Sequence, residues 1–247
     1  MTTTPTLPAY LTPAYLAALV LVEGGGSGAP GDRCAIQEVR AWLGLDPSSD
    51  TVPDNVCPVI GAAVYRADHS TRCDRRALAQ VLPRLLGSRG SAALTQRRHW
   101  AVAHAVIRVS ICSRLATIAA RSGLVEGRRT EILGWRDHLA AIPEMVDRAT
   151  CAEAARVTMA IHAAAHAAVV HDVTYDADDK RDGERDDAAI DDALAAIDDA
   201  LTYVVGPARA VDDVEAYAYA YGLAGLAGLG YAALIDHLLS MGEESAR

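Results

Sequence analysis

Phenylalanine is absent from this chain of 247 residues, and aromatic side chains make up only 5% of it. A core without large rings must be filled by thin aliphatic side chains, which suits helices packed at short distance. Lysine is almost absent as well: Lys180 stands alone, and arginine supplies the other 22 of the 23 basic residues. With the abundance of alanine, that bias reads first as the codon usage of a GC-rich genome and only second as function. No Cys-x-x-Cys occurs among the five cysteines, Cys34, Cys57, Cys73, Cys112 and Cys151. Their odd number and uneven spacing exclude a zinc ribbon and a dense disulfide framework. No basic residue precedes Arg33, so the apolar run at residues 15–22 lacks the charged flank of a signal peptide. The expectation is a cytoplasmic protein with reduced cysteines. Gly-x-Ser-x-Gly, a Walker A loop and a Gly-x-Gly-x-x-Gly turn are also missing, and with them common signatures of acyl transfer, nucleotide hydrolysis and dinucleotide binding.

What is present is helix-forming sequence, 51% hydrophobic and 22% charged, a globular composition. Residues 152–170 are dominated by alanine and contain neither glycine nor proline, so helix is their cheapest backbone solution. Thr150 with Glu153 three residues on reads as a capping box. So few polar residues leave no evident solvent face, which predicts a central helix surrounded by others. Its reactive groups are His162 and His166, one turn apart on one face, followed by His171 and Asp172. That spacing suits two ligands of a divalent metal, although the Glu of His-Glu-x-x-His is missing.

Further helices are expected from near Pro13 to residue 22, from residue 33 to a stop at Gly44, and over 59–65, 75–86, 92–123 and 127–139. Residues 23–31, EGGGSGAPG, read as a flexible loop. Charge is segregated. Residues 66–136, which Arg66 opens and Arg136 closes, carry 14 arginines against Asp68, Asp74, Glu126 and Glu131. Such a surface can attract nucleic acid or an acidic protein. Residues 172–199 hold 12 acids and three bases, a net of -9 equal to that of the whole chain. Within that acidic block and just beyond it, Ile190, Leu194, Ile197, Leu201 and Val204 step by four and three, an amphipathic helix with a coiled-coil-like seam. The simplest account of the two blocks is that they neutralise each other, within one chain or between copies.

Three further motifs have chemical readings. Asp178, Asp179 and Asp182 spell Asp-Asp-x-x-Asp, and Asp186, Asp187 and Asp191 make a second cluster of three. Such clusters can hold a hard cation, but this one falls in a loop and the matching second metal motif is absent. Cys34 and Glu38 share a helix face and are followed by Asp50 and Cys57, a thiol and carboxylate set that with the nearby His69 can bind zinc or pair a nucleophile with a base. Residues 216–235 run for 20 positions without a charge, long enough to cross a bilayer, with Gly222, Gly225 and Gly228 every third residue. Their alanine, glycine and tyrosine content and the absence of flanking Lys or Arg favour a buried helix over a membrane span.

The block from Cys34 to the GSRG stretch resembles a group of uncharacterised, alanine-rich helical proteins of actinobacteria and actinophages. The matching positions are Cys34, Glu38, Ser49, Asp50, Cys57, Gly87, Arg89 and Gly90. Arg66-Ala67-Asp68 departs from the Trp-Asn-Asp often found there in that group. The resemblance implies a helical fold and no particular activity.

The expected fold is all-α: a compact multi-helix bundle with alanine-rich core helices and no sheet. Its parts are an arm, helix and glycine-rich loop (1–31), an arginine-rich helical half (32–149) and an alanine-rich half with an acidic loop (150–247). Three functional readings follow. The first is a non-enzymatic interaction or scaffold protein that forms homo-oligomers. The second is a metal-binding protein or metal-dependent enzyme using His162 and His166 or the aspartate-rich loop. The third is a nucleic-acid binder through residues 66–136.

Overall fold

In a computed structural model of the chain the described residues are 9, 11–70, 73–121, 124–172, 189, 191–195, 197–198 and 231–244, without the side chains of 110, 168–172, 231 and 243–244. The protein is all-α, and no strand occurs among the described residues. Nine α-helices are described: α1 (Pro13–Ala18), α2 (Ala35–Trp42), α3 (Pro58–Asp68), α4 (Arg75–Val81), α5 (Ala92–Ala105), α6 (Cys112–Ala119), α7 (Glu126–Ala140), α8 (Arg148–Asp172) and α9 (Tyr231–Glu244). A 3-10 turn, Leu82–Leu85, continues α4, and a π-helical segment, Val106–Ile111, joins α5 to α6. The expected helix over 92–123 is thus continuous to Ala119, with a widened turn in its middle. The described helices form two units, divided inside α5 between His99 and Trp100.

The first unit contains α1 to α4, the start of α5, and α9. Its centre is α3, which touches α2, α4 and α9 and buries Val59, Ile60, Gly61, Ala62, Ala63, Val64, Ala67 and Asp68. Two of its helices start at a cysteine, Cys34 before α2 and Cys57 before α3. Gly44 ends α2 as expected, at φ +69°. The glycine-rich segment is a built loop and not the flexible one its composition predicts. Val22 and Arg33 close it, with the Val22 amide donating to the Arg33 carbonyl at 3.1 Å. The Gln37 side chain, from α2, exchanges hydrogen bonds with the Gly26 backbone at 3.0 and 2.9 Å. A Cβ on Gly26 would lie 2.2 Å from the Asp32 carbonyl oxygen, so only glycine fits. Gly28, at φ +83°, is pressed against Pro47 in the same way. Satisfaction of the backbone by distant side chains, invisible to composition, is what fixes this loop.

In the second unit α7 touches the π segment, α6 and α8. The alanine-rich α8 is not the surrounded helix its composition predicts. It buries one stripe, Cys151, Ala154, Ala155, Thr158, Ile161 and Ala165, at three- and four-residue steps. Its other side, with Met159 (55% exposed), Ala160, Ala163, Ala164, His166 and Ala167, is exposed. Nor does Thr150 cap it. The Asp147 carboxylate accepts the Thr150 amide at 2.8 Å while the Thr150 hydroxyl accepts the Asp147 amide at 3.1 Å, so the reciprocal cap sits one turn earlier, and Glu153 pairs with Arg156 instead.

The described residues of the acidic segment are helical, with Ala189, Ala193 and Ile197 buried and Leu194 half-buried. Of the expected seam, Ile197 is thus buried and Leu194 half-buried, with Ala189 and Ala193 buried beside them; Ile190, Leu201 and Val204 lie outside the described residues. So do residues 216–230 of the uncharged segment, whose last five residues open α9. Among the described residues one stretch, Ala92–Ala119, is long and apolar enough to cross a membrane by length and composition, and 47% of its most apolar window is buried.

Candidate functional site

His162 and His166 do share a face of α8, with ring centroids 6.3 Å apart. The tertiary fold brings them a residue that their local sequence does not: Asp198, whose Oδ1 lies 2.8 Å from His162 Nε2. An imidazole held by a carboxylate is fixed in orientation, the usual arrangement behind a metal-bound histidine. His166 is exposed one turn further along. Asp178, Asp179, Asp182 and the His171 side chain lie outside the described residues. Among the described residues no group of three or more His, Cys, Asp or Glu side chains is placed to hold a metal ion.

The cysteine and carboxylate set is distributed over separate structural duties. Glu38 is buried and fully engaged: Oε1 accepts from the Tyr15 hydroxyl and from Trp42 Nε1, each at 2.8 Å, and Oε2 accepts from Arg33 Nη1 at 3.3 Å. It ties α1 and the end of the glycine loop to α2. Cys57 is wholly buried, and its amide donates to the Ser88 hydroxyl at 3.0 Å. Asp50 is half-buried in the connection between α2 and α3. Cys34 is buried too, and burial, reinforced by the nearby Asp68 carboxylate, pushes its thiol up to about 12. Such a thiol stays protonated at neutral pH and is a poor nucleophile.

Asp68, one of the few acids in the arginine-rich stretch, is the buried carboxyl of this region. It is 0% exposed, and Oδ2 accepts the Ala35 amide at 2.7 Å. Burial pushes its carboxyl up to about 7, against the opposing pull of the Ala35 and Ile36 amides, the Cys34 thiol and the His69 charge. No local pattern distinguishes it, because its partner lies 33 residues away in sequence.

The arginines of residues 66–136 are largely committed within the chain. Arg75, Arg84, Arg89, Arg121, Arg128, Arg129 and Arg136 each face a carboxylate, from Glu23, Asp236, Asp54, Asp192, Glu131, Glu126 and Asp137 respectively. Arg121 to Asp192 joins the arginine-rich and acidic blocks, as their complementary charge suggested. Arg98 is 1% exposed and donates to the carbonyls of Leu238, at 2.8 Å, and Ser88, at 2.6 Å. With Arg97, which donates to the Met241 carbonyl at 3.3 Å, it binds the carbonyls of α9, where a cation also complements the helix dipole. Arginines used in this way have fewer N–H groups left for phosphate.

No family model, curated protein or solved structure matches the chain.

Proposed function

We propose that this chain is a non-enzymatic helical interaction protein that associates with copies of itself. The observation that carries the reading is the exposed side of α8, where Met159, Ala160, Ala163, Ala164 and Ala167 lie in solvent along a helix whose opposite side is a regular buried stripe. Small residues on such a side allow a second helix to approach closely, and Met159 adds a deformable apolar contact. The commitment of Glu38, Cys34, Cys57 and most of the arginines to bonds within the chain supports a structural role. None of the five cysteines forms a disulfide, which supports the cytoplasm as its compartment.

Size-exclusion chromatography with light scattering tests the reading. The wild-type chain should elute as a discrete oligomer, and Met159→Glu with Ala163→Glu should give a folded monomer. A wild-type chain that stays monomeric at high concentration would overturn it.

A second reading is supported by one contact. His162, oriented by Asp198 and one turn from His166, suits the binding of a divalent metal at this face of α8. Elemental analysis of untagged protein would then find near-stoichiometric zinc, iron or manganese, lost on His166→Ala. Metal-free protein, or metal unchanged by that substitution, removes the reading.

A further inference from the structure

Asp68 closes α3 at a point where four segments meet. Its Oδ2 accepts the Ala35 amide at 2.7 Å, which joins it to the first turn of α2. Its carbonyl accepts the Gly24 amide at 3.1 Å and Arg75 Nη2 at 3.1 Å, which joins it to the glycine loop and to α4. The next link of the same loop depends on α2's first turn: the Gln37 Oε1 that accepts the Gly26 amide also accepts the Cys34 amide, both at 3.0 Å. Loop 22–33 is thus pinned at Gly24 by the end of α3 and at Gly26 by the start of α2, and Asp68 holds those two ends together.

The site is built for a neutral carboxyl. Asp68 is 0% exposed, and its Oδ1 has no hydrogen-bond partner. The groups around it are the Cys34 thiol at the start of α2, His69 at the end of α3, Cys73, which Asp74 and Arg75 also flank, and Arg75, which is paired with Glu23 of the loop at 3.3 Å. Arg75 turns Nη2 to the carbonyls of Asp68 and Ser70 rather than to the carboxylate. An ionised Asp68 would therefore be a buried anion without an ion-pair partner, which is costly. A protonated one carries no charge to desolvate.

We propose that Asp68 is an acid-tightened clamp on the glycine loop: protonated, it holds residues 22–33 against the ends of α2 and α3, and ionisation loosens that hold. Burial, which raises the carboxyl to about 7, sets the window. A released carboxyl ionises near its usual value of about 4, so opening frees a proton between about pH 4 and pH 7. Opening of the loop should rise with pH by up to about tenfold per unit in that window and level off above it.

Hydrogen exchange of the full chain, read by mass spectrometry from pH 4.5 to 8 and corrected for intrinsic exchange, tests this. Peptides covering 22–33 should lose protection as pH rises while α7 peptides keep theirs. Asp68→Asn, neutral at every pH and still able to accept the Ala35 amide, should give a flat profile. His69→Gln should keep the wild-type profile. A flat wild-type profile, a profile abolished by His69→Gln, or parallel loss in the loop and α7 would overturn the clamp. The carboxyl carbon-13 shift of Asp68 in the wild-type chain gives an answer that needs no variant: a midpoint near 7 supports the proposal, and one near 4 sinks it.

Discussion

Glu38 shows how one carboxylate can hold three distant parts of a chain. Its two oxygens take donors from Tyr15, Arg33 and Trp42, and the Tyr15 and Trp42 rings meet edge to face with centroids 6.5 Å apart. Truncation would leave the indole N–H of a buried tryptophan without an acceptor and Arg33 without its counter-charge. Glu38→Ala should therefore cost about 2–4 kcal/mol, and Glu38→Gln, which keeps one good acceptor, about half that. Urea unfolding followed by tryptophan fluorescence checks this. A cost below about 0.5 kcal/mol would mean that the three donors find other partners. Cys34 and Glu38 belong to one helix face, as their spacing says, yet they serve different neighbours, Asp68 and the Tyr15–Trp42 pair. Spacing fixes which side chains are neighbours on a helix and is silent about what each is turned toward.

Among the elements, α8 has two sides and a start that can be tested separately. Its buried stripe repeats at three and four residues from Cys151 to Ala165, so an extra three carbons at Ala165 have no room, whereas Ala164 faces solvent. Ala165→Leu should destabilise by about 1–3 kcal/mol through overpacking, while Ala164→Leu should stay within about 0.5 kcal/mol. Loss of the reciprocal cap in Asp147→Ala should cost about 1 kcal/mol. Thermal or urea unfolding distinguishes these, and equal effects at positions 164 and 165 would overturn the assignment of the two sides. An alanine helix advertises its conformation strongly and its orientation weakly, because alanine is tolerated on either side. That is why the helix was legible in the sequence but its exposed face was not.

At the scale of the folded molecule, two buried groups of the first unit give opposite pH dependences. Asp68 is raised to about 7, so the stability of its protonated form is complete below about pH 4 and is lost as pH rises through 7. Burial lowers His99 to about 4, so the stability of its neutral form is complete above about pH 6.5 and is lost as pH falls through 4. Between about pH 4 and 6.5 the two slopes cancel, each being at most about 1.4 kcal/mol per pH unit. Asp68→Asn should expose the His99 slope, with stability rising as pH rises, and His99→Gln the reverse. Urea midpoints at several pH values read both, and a pair of variants with parallel profiles would rule the opposition out.

The helical character of the described residues was legible in the chain. Alanine, the lack of β-rich runs, the prolines at helix starts and Gly44 as a stop make helix the lowest local free energy, and complementary charge blocks foretell ion pairs such as Arg121 with Asp192. Tertiary structure alone decided which polar groups matter. Asp68 with Ala35, Gln37 with the Gly26 backbone, Asp198 with His162 and Arg98 with the α9 carbonyls each join residues that no local pattern relates. It also converted a glycine run that reads as slack into a fitted loop. The physical reason is the same in each case: helix propensity is a property of neighbours along the chain, whereas the worth of a hydrogen bond or a charge depends on the burial and partners that packing supplies.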